Sequence, residues 1–434
     1  MLPSGAPLSE WLAWLETLSP TEINLGLDRT QRVLERLHLS RPEHVLLVAG
    51  TNGKGSSVAM ADALLRASGL RTGAYTSPHI RCYNERIVVD GVAASDAEIV
   101  AAFEQVEAVR QETELTYFEF GTLAAAVVFA AADLDVWILE VGLGGRLDAT
   151  NAIDPTASLI TNVSLDHCDW LGDDVASIAV EKAGVMRSGI PTVIGDKSAP
   201  ASIAIQAVKD GAVLLQAGQD FDFTVDESGN WSWRGPTTAI ADLQPPGLLG
   251  EFQTGNAAAV LMLLDAAGLS GAIDANLVNK ALRGLSLTGR LQKLTVDGLG
   301  SGSNEWVIDV AHNPAAAGVL AATVSAMRCS GETIAIVGLL HDKDLDGIIG
   351  PLAQHIDRWI AMTAHNHRAI PANELARRIS NLTGRACLVA GSTAAAIEFA
   401  RRAVSENDRI LATGSFFTVG PVLDQLATFS RTES

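Results

Sequence analysis

Gly50, Gly53 and Gly55, with Lys54 and the pair Ser56-Ser57, stand directly after the apolar run Val45-Leu46-Leu47-Val48-Ala49. A buried strand, a glycine-rich turn and a helix opening near Lys54 make a cradle for phosphate. The glycines let backbone N–H groups come close, the helix N-terminus adds partial positive charge, Lys54 reaches the outer phosphates and Ser56 faces a magnesium ion. The ligand this chemistry suits is a nucleoside triphosphate. The spacing departs from the usual six-residue loop, whose first glycine would fall at Val48, and Gly55 separates the lysine from the hydroxyls. A shorter loop is expected. An incidental lysine in a strand-to-helix turn is the plain alternative; three glycines, a lysine and two serines in one short segment speak against it.

Ser77, Glu140 and His167 each fall at or just past the C-terminal end of an expected strand, the end that faces the ligand crevice in a parallel sheet. A hydroxyl, a carboxylate and triphosphate oxygens make a shell for magnesium, with an imidazole as a less usual member. Each has a plainer alternative: a turn residue before Pro78, a strand-end charge facing water, and a satisfied loop histidine. Lys182 follows Glu181 on an expected helix, where the pair reads as a solvated face. Further on, Arg290 suits a clamp on triphosphate and Asp309 a contact to ribose or magnesium, with His312 close by. Asp309 equally suits capping a helix after Pro314.

The elements that must position these groups follow a doubly wound pattern. A helical lead-in over 8–39 is broken at Ser19-Pro20 and Leu25-Gly26-Leu27. Strands are expected over 72–76, 136–141 and 157–161, helices over 94–112, 122–132, 177–186 and 251–267, and a hairpin over 221–239. Residues 115–120 precede the apolar helix, and the glycine-rich stretch 142–151 is too polar to be one. Near 284–289 the pattern restarts, with strands at 307–309, 333–337, 359–362 and 409–412. Two domains, 1–287 and 288–434, fit a chain of 434 residues, which is too long for one ordinary core. The fold class expected is α/β, a phosphate-loop mononucleotide-binding N-terminal domain followed by a smaller Rossmann-like α/β domain.

A formal charge of −19 argues against nucleic acid or an anionic membrane as partner, since either wants a basic face. Cys82, Cys168, Cys329 and Cys387 are widely spaced and form no C-x-x-C pair, which suggests reduced thiols and no zinc knuckle. The longest apolar run, 123–132, falls far short of the ~20 residues of a membrane helix, so a cytoplasmic location is expected.

Longer motifs then carry a resemblance. Gly50-Thr51-Asn52-Gly53-Lys54-Gly55-Ser56, Thr76-Ser77-Pro78-His79, the stretch from Glu140 to Asn151, Asp166-His167, Glu181-Lys182-Ala183-Gly184 and Asp309-Val310-Ala311-His312-Asn313-Pro314 stand in this order. So do Gly338 to Asp344 and Gly414 to Thr418. The chain resembles the folylpolyglutamate synthases of the muramyl-ligase superfamily, and within them the bifunctional bacterial enzymes that also make dihydrofolate. Ser56-Ser57 in place of threonines and Thr288 before Gly289-Arg290 in place of proline are small departures.

The resemblance implies an ATP-driven ligase that joins L-glutamate to dihydropteroate and to reduced folates through an acyl phosphate. Another muramyl-type amino-acid ligase and a non-catalytic nucleotide-binding module are the alternatives. Under the resemblance Thr51, Asn52, Gly53, Lys54, Gly55, Ser56, Asn256, Arg290 and Asp309 meet nucleotide. Magnesium falls to Ser56, Ser77, Glu140, His167 and Lys182, the lysine being carbamylated and so turned from a cation into a carboxylate-like ligand. Glu22, Ile23, Asn24, Leu25, Thr116, Tyr117, Phe118, Glu119, Leu147, Asp148 and Ala149 match pterin-substrate contacts. His312 and Ser415 match positions near the amino-acid site, and Lys54, Lys182 and His312 are the implied catalytic groups. ATP and two magnesium ions are implied as cofactors, with potassium as an additional candidate, in a monomer whose partners are small molecules. Because an acyl phosphate hydrolyses, closure about a hinge near 284–289 is expected.

Overall fold

The computed structural model describes residues 5–18, 24–297, 303–405 and 407–429. Contacts divide the chain into two units. The first comprises 1–79, 83–247 and 252–285; the second comprises 80–82, 248–251 and 286–434.

Eight strands form the sheet of the first unit: β1 His44–Ala49, β2 Thr72–Tyr75, β3 Ile87–Val89, β4 Val92–Ala93, β5 Val136–Glu140, β6 Ala157–Ile160, β7 Pro191–Ile194 and β8 Val213–Gln216. Their order is β4-β3-β2-β5-β1-β6-β7-β8, antiparallel at β4-β3-β2 and parallel from β2 to β8. The central strand β1 is buried from Val45 to Ala49, as expected where both faces of a parallel sheet are covered. Val48 lies opposite Glu140, and Ala49 opposite Ile160. That register aligns the C-terminal ends of β1, β5 and β6 and so gathers the loops that follow them.

Two helices bind those loops to the sheet. Lys54–Ala67 follows β1 directly, and Phe252–Ala266 packs on it and on β6 and β7. The second of these is buried along nearly its whole length, including Val260, Leu261, Leu263 and Leu264 at 0% exposure. Full burial of each such side chain stabilises by about 1.5–3 kcal/mol, which explains a helix that is apolar all round. The lead-in folds as Leu8–Leu15 and Asp28–Leu37, with Trp11 wedged against Phe103 and Phe120. The segment expected as a hairpin is a three-stranded antiparallel sheet, β9 Asp222–Val225, β10 Trp231–Arg234 and β11 Ala239–Leu243.

Among the described residues the second unit has six strands, β12 Gln292–Asp297, β13 Ser303–Ile308, β14 Thr333–Val337, β15 Arg358–Met362, β16 Cys387–Ala390 and β17 Arg409–Thr413. They are ordered β12-β13-β17-β14-β15-β16, and all but β12 run parallel. The protein is thus mixed α/β, with a largely parallel sheet in each unit. Among the described residues no helix is long and apolar enough to cross a membrane.

Candidate active site

The loop after β1 is held from behind by the chain that follows β6. Thr51 N–H donates to Asn162 O at 3.0 Å, Asn52 N–H to Asn162 Oδ1 at 3.0 Å, and Thr161 Oγ1 to Asn52 O at 2.7 Å. Gly50 has φ +144°, and a Cβ there would lie 1.8 Å from Thr161 Oγ1, so any other residue would be strained and would displace the Thr161 hydroxyl that holds Asn52 O. Gly53, at φ +83°, caps the helix Lys54–Ala67 and faces Asn256. The amides of Thr51 and Asn52 therefore serve the loop itself. It is the first turn of the helix, at Gly55 and Ser56, that presents N–H groups lacking intrahelical acceptors to an anion. Lys54 Nζ folds back to Gly50 O and Thr51 O at 3.0 and 3.2 Å. Ser56 is buried and accepts from Gln253 Nε2, whose Oε1 accepts in turn from Asn256.

Two of the expected metal-binding residues meet directly: Ser77 N–H donates to Glu140 Oε2 at 3.1 Å. Glu140 is 3% exposed, which corrects the alternative of a strand-end charge facing water. Its carboxylate lies against the start of the phosphate-loop helix, where a Cβ on Gly55 would sit 3.5 Å from Oε2. Helix-terminal partial charge suits an anion there. His167 caps the short helix Cys168–Leu171 and is exposed, with Nε2 3.9 Å from Asp166 Oδ1. Among the described residues no three His, Cys, Asp or Glu side chains gather into a metal set.

Lys182 overturns the solvated-face alternative. The helix Val175–Ala183 turns Glu181 outward to pair with Arg146 at 2.8 Å, while Lys182 points inward, 3% exposed, and donates to Gly50 O at 3.0 Å. Lys54 and Lys182 thus share one carbonyl oxygen. Burial first, and then the charge of Lys54, pull the Lys182 ammonium down to about 7, against the opposing pull of Asp166 and Asp148.

The residues matched to substrate contacts behave differently from one another. The helix expected from 122 begins at Tyr117, because Thr116 and Glu119 close a capping box over its first turn. Glu119 accepts from Thr116 N–H at 2.7 Å and from Arg29 Nε and Nη2 at 3.1 and 2.9 Å. Arg29 Nη2 also holds Asn24 O at 2.6 Å, so the Glu119 carboxylate fixes the segment at Asn24 instead of standing open. Asp148 is likewise occupied, accepting from Leu143 N–H, Thr150 N–H and Thr150 Oγ1. Burial pushes its carboxyl up. Tyr117, Phe118, Leu147 and Leu25 are half-buried, Asn24 is exposed and Ala149 is buried. Phe118 lies over Gly142, where a Cβ would be 2.6 Å from its ring, and beside Tyr75. Glu22 and Ile23 lie outside the described residues.

In the second unit Asp309 is half-buried just past the end of β13 and accepts from Leu291 N–H and Ala311 N–H, each at 2.8 Å. Burial pushes its carboxyl up, with Arg290 opposing. It does not cap the next helix: Asn313 does, accepting from Ala316 N–H at 2.9 Å. Arg290 and His312 rest on one ring, Phe416, at 5.3 and 5.6 Å from its centre. His312 Nδ1 contacts Val310 O at 2.9 Å; a carbonyl only accepts, so the proton is on Nδ1. Ser415 is buried after the tight turn at Gly414, φ +110°.

Residues 48–189 match the Mur ligase middle domain and residues 289–416 the Mur ligase glutamate ligase domain. A dihydrofolate synthase/folylpolyglutamate synthase of Escherichia coli K12 is 37% identical over 422 residues, covering 97% of this chain and 96% of its own. The chain belongs to the dihydrofolate synthase/folylpolyglutamate synthase family. Among solved structures, Escherichia coli FolC in complex with DHPP and ADP superposes with a TM-score of 0.91 at 36% identity, covering 99% of each chain. A bifunctional folylpolyglutamate synthase/dihydrofolate synthase with Mn, AMPPNP and L-glutamate bound gives 0.89 at 37% identity, covering 98% of this chain and 99% of its own.

In this family member several groups around the site carried no local signal. Asn162 braces the phosphate loop from a plain Thr-Asn pair, Gln253 joins Ser56 to Asn256 from within an apolar helix, and Arg86 is an unremarkable arginine in a polar turn. Only Thr116-x-x-Glu119, a capping signature before an apolar run, was there to be read.

Proposed function

We propose that this protein uses ATP to join L-glutamate to 7,8-dihydropteroate, giving dihydrofolate, and to the γ-carboxylate of reduced folates. The acceptor carboxylate attacks the γ-phosphoryl group to form an acyl phosphate with ADP leaving, and the glutamate amine then attacks the acyl carbon, loses its proton and expels inorganic phosphate to leave an amide. The observation that carries this is the convergence of Lys54 and Lys182 on the Gly50 carbonyl, at the mouth of a braced phosphate loop with Glu140 and Ser77 at the end of the neighbouring strands. The DHPP and ADP of one related structure and the Mn, AMPPNP and L-glutamate bound in another support the substrate set.

Lys54 and the first-turn amides at Gly55 and Ser56 orient the triphosphate and offset charge that develops on it. The donor set fits a hard cation if Lys182 carries a carbamate: Glu140, Ser77, His167 and Ser56 then supply oxygens and one imidazole, without an ammonium opposing them. Magnesium, when bound, would screen the triphosphate and the incoming carboxylate. A second magnesium ion and a potassium ion belong to this proposal, as do a monomeric state and a cytoplasmic location. Asn256, Arg290 and Asp309 contact nucleotide in this reading, and Tyr117, Phe118, Leu147, Ala149, Asn24 and Leu25 receive the acceptor. Phosphate release that requires dihydropteroate and glutamate together supports the reading, and release independent of either one defeats it.

His312 and Ser415 hold glutamate. Val310 O and Phe416 fix the His312 ring in one orientation. His312→Ala is expected to raise the glutamate KM by roughly tenfold or more, the loss of one hydrogen bond to a charged group, with the ATP KM within about twofold. Steady-state kinetics in each substrate check this; an unchanged glutamate dependence removes His312 from the site.

A further inference from the structure

Arg86 ends the turn Tyr83–Arg86 just before β3 and is 9% exposed. Its guanidinium rests on the rings of Tyr83 and Tyr117, 5.4 and 5.6 Å from their centres, and its Nε donates to His79 Nδ1 at 2.9 Å. Among the described residues no carboxylate pairs with it. The same chain solves a buried arginine differently elsewhere: Arg409, 1% exposed, is matched by Glu305 at 3.0 Å and by the carbonyls of Val324 and Met327. A guanidinium keeps its proton, and burying its charge without a counter-charge is strongly unfavourable. The neighbouring tyrosines do not supply one, since a phenol is neutral at the pH of the reaction.

Placement narrows what the missing anion is. Arg86 O accepts from Thr76 N–H at 2.9 Å, next to Ser77, whose own N–H is on Glu140. On the other side Arg86 stacks on Tyr117, which neighbours Phe118 on the same helix. The uncompensated cation lies between the strand-end residues of the proposed phosphoryl transfer and the aromatic wall of the proposed acceptor pocket. We propose that Arg86 receives the carboxylate of the acceptor, the group to be phosphorylated, and completes its own charge balance only when that substrate is bound. A carboxylate approaching a triphosphate is repelled by it, and a guanidinium fixed by two aromatic faces offers its N–H edges to one oxygen while the other stays available. This rests on the acceptor assignment made above.

The test measures equilibrium binding of dihydropteroate and of its methyl ester, in the presence of Mg-ADP, to the wild type, Arg86→Gln and Arg86→Lys. The wild type is expected to bind the acid roughly ten- to a hundredfold more tightly than the ester, the range of one charge-assisted hydrogen bond. Arg86→Gln should bind both alike, at the level of the ester, and Arg86→Lys should keep part of the preference. Equal binding of acid and ester by the wild type overturns the proposal with no variant needed, and so does an undiminished acid preference in Arg86→Gln. Loss of acid and ester by the same factor in Arg86→Gln marks a purely packing role and also overturns it. Binding of neither compound by the wild type instead defeats the acceptor assignment, and this inference with it.

Discussion

Lys54→Ala loses ATP-dependent ligation by roughly 10²-fold or more, the usual effect of removing a donor that stabilises developing charge, while the chain stays folded. The side chain is half-buried and bonds the carbonyls of Gly50 and Thr51, which the core of the sheet does not need. The loop keeps its brace through Asn162 and Thr161. A second consequence follows from charge. Lys54 is the neighbour that lowers the Lys182 ammonium, so its removal lets Lys182 hold its proton more tightly and react less readily with CO₂. The variant is therefore expected to show a steeper dependence on added bicarbonate than the wild type. Thermal melting and turnover against bicarbonate check both parts, and near-wild-type turnover removes Lys54 from the phosphate site.

Lys182→Ala is expected to lose activity to a similar degree, with partial rescue by acetate or another short carboxylate. A free ammonium beside a magnesium ion and Lys54 is repelled by both, whereas a carbamate brings two negative oxygens to a hard cation. Formation of the carbamate needs the neutral amine, and an ammonium drawn down to about 7 provides a substantial neutral fraction at neutral pH. Acid-side transfer of wild-type enzyme should accordingly drain activity, and return to mildly alkaline buffer with bicarbonate should restore it. Intact-protein mass and high-resolution density past Nζ check the modification. An alanine variant with full activity sinks it.

Much of the first unit was legible because its signals are local. An apolar run buried on both faces, glycines at a turn and a lysine at a helix start fix strand, loop and helix with no help from distant residues. Glu181-Lys182 was not legible, because two adjacent charges on a helix look alike in sequence. Which one is buried depends on Arg146, far away in the chain, drawing Glu181 outward. Thr116 and Glu119 show the opposite case: their capping spacing stood in the sequence and the helix start it marks is found, which leaves the substrate contact expected of them untouched. The strands β12 and β16 went unread since edge strands lack a continuous apolar run. Leu388 and Val389 in β16 are about half exposed, at 53% and 48%. Arg86 could not be singled out, because its meaning lies in a counter-charge that only the folded surroundings show to be missing.

Mass analysis of the products, from purified protein with ATP, magnesium, L-glutamate and dihydropteroate, tests the central claim most directly. The account predicts dihydrofolate, one glutamyl unit heavier than the acceptor, with one ADP and one phosphate formed per amide, and further glutamyl units when a reduced folate is supplied. ATP consumed with no glutamyl adduct on either acceptor would contradict it.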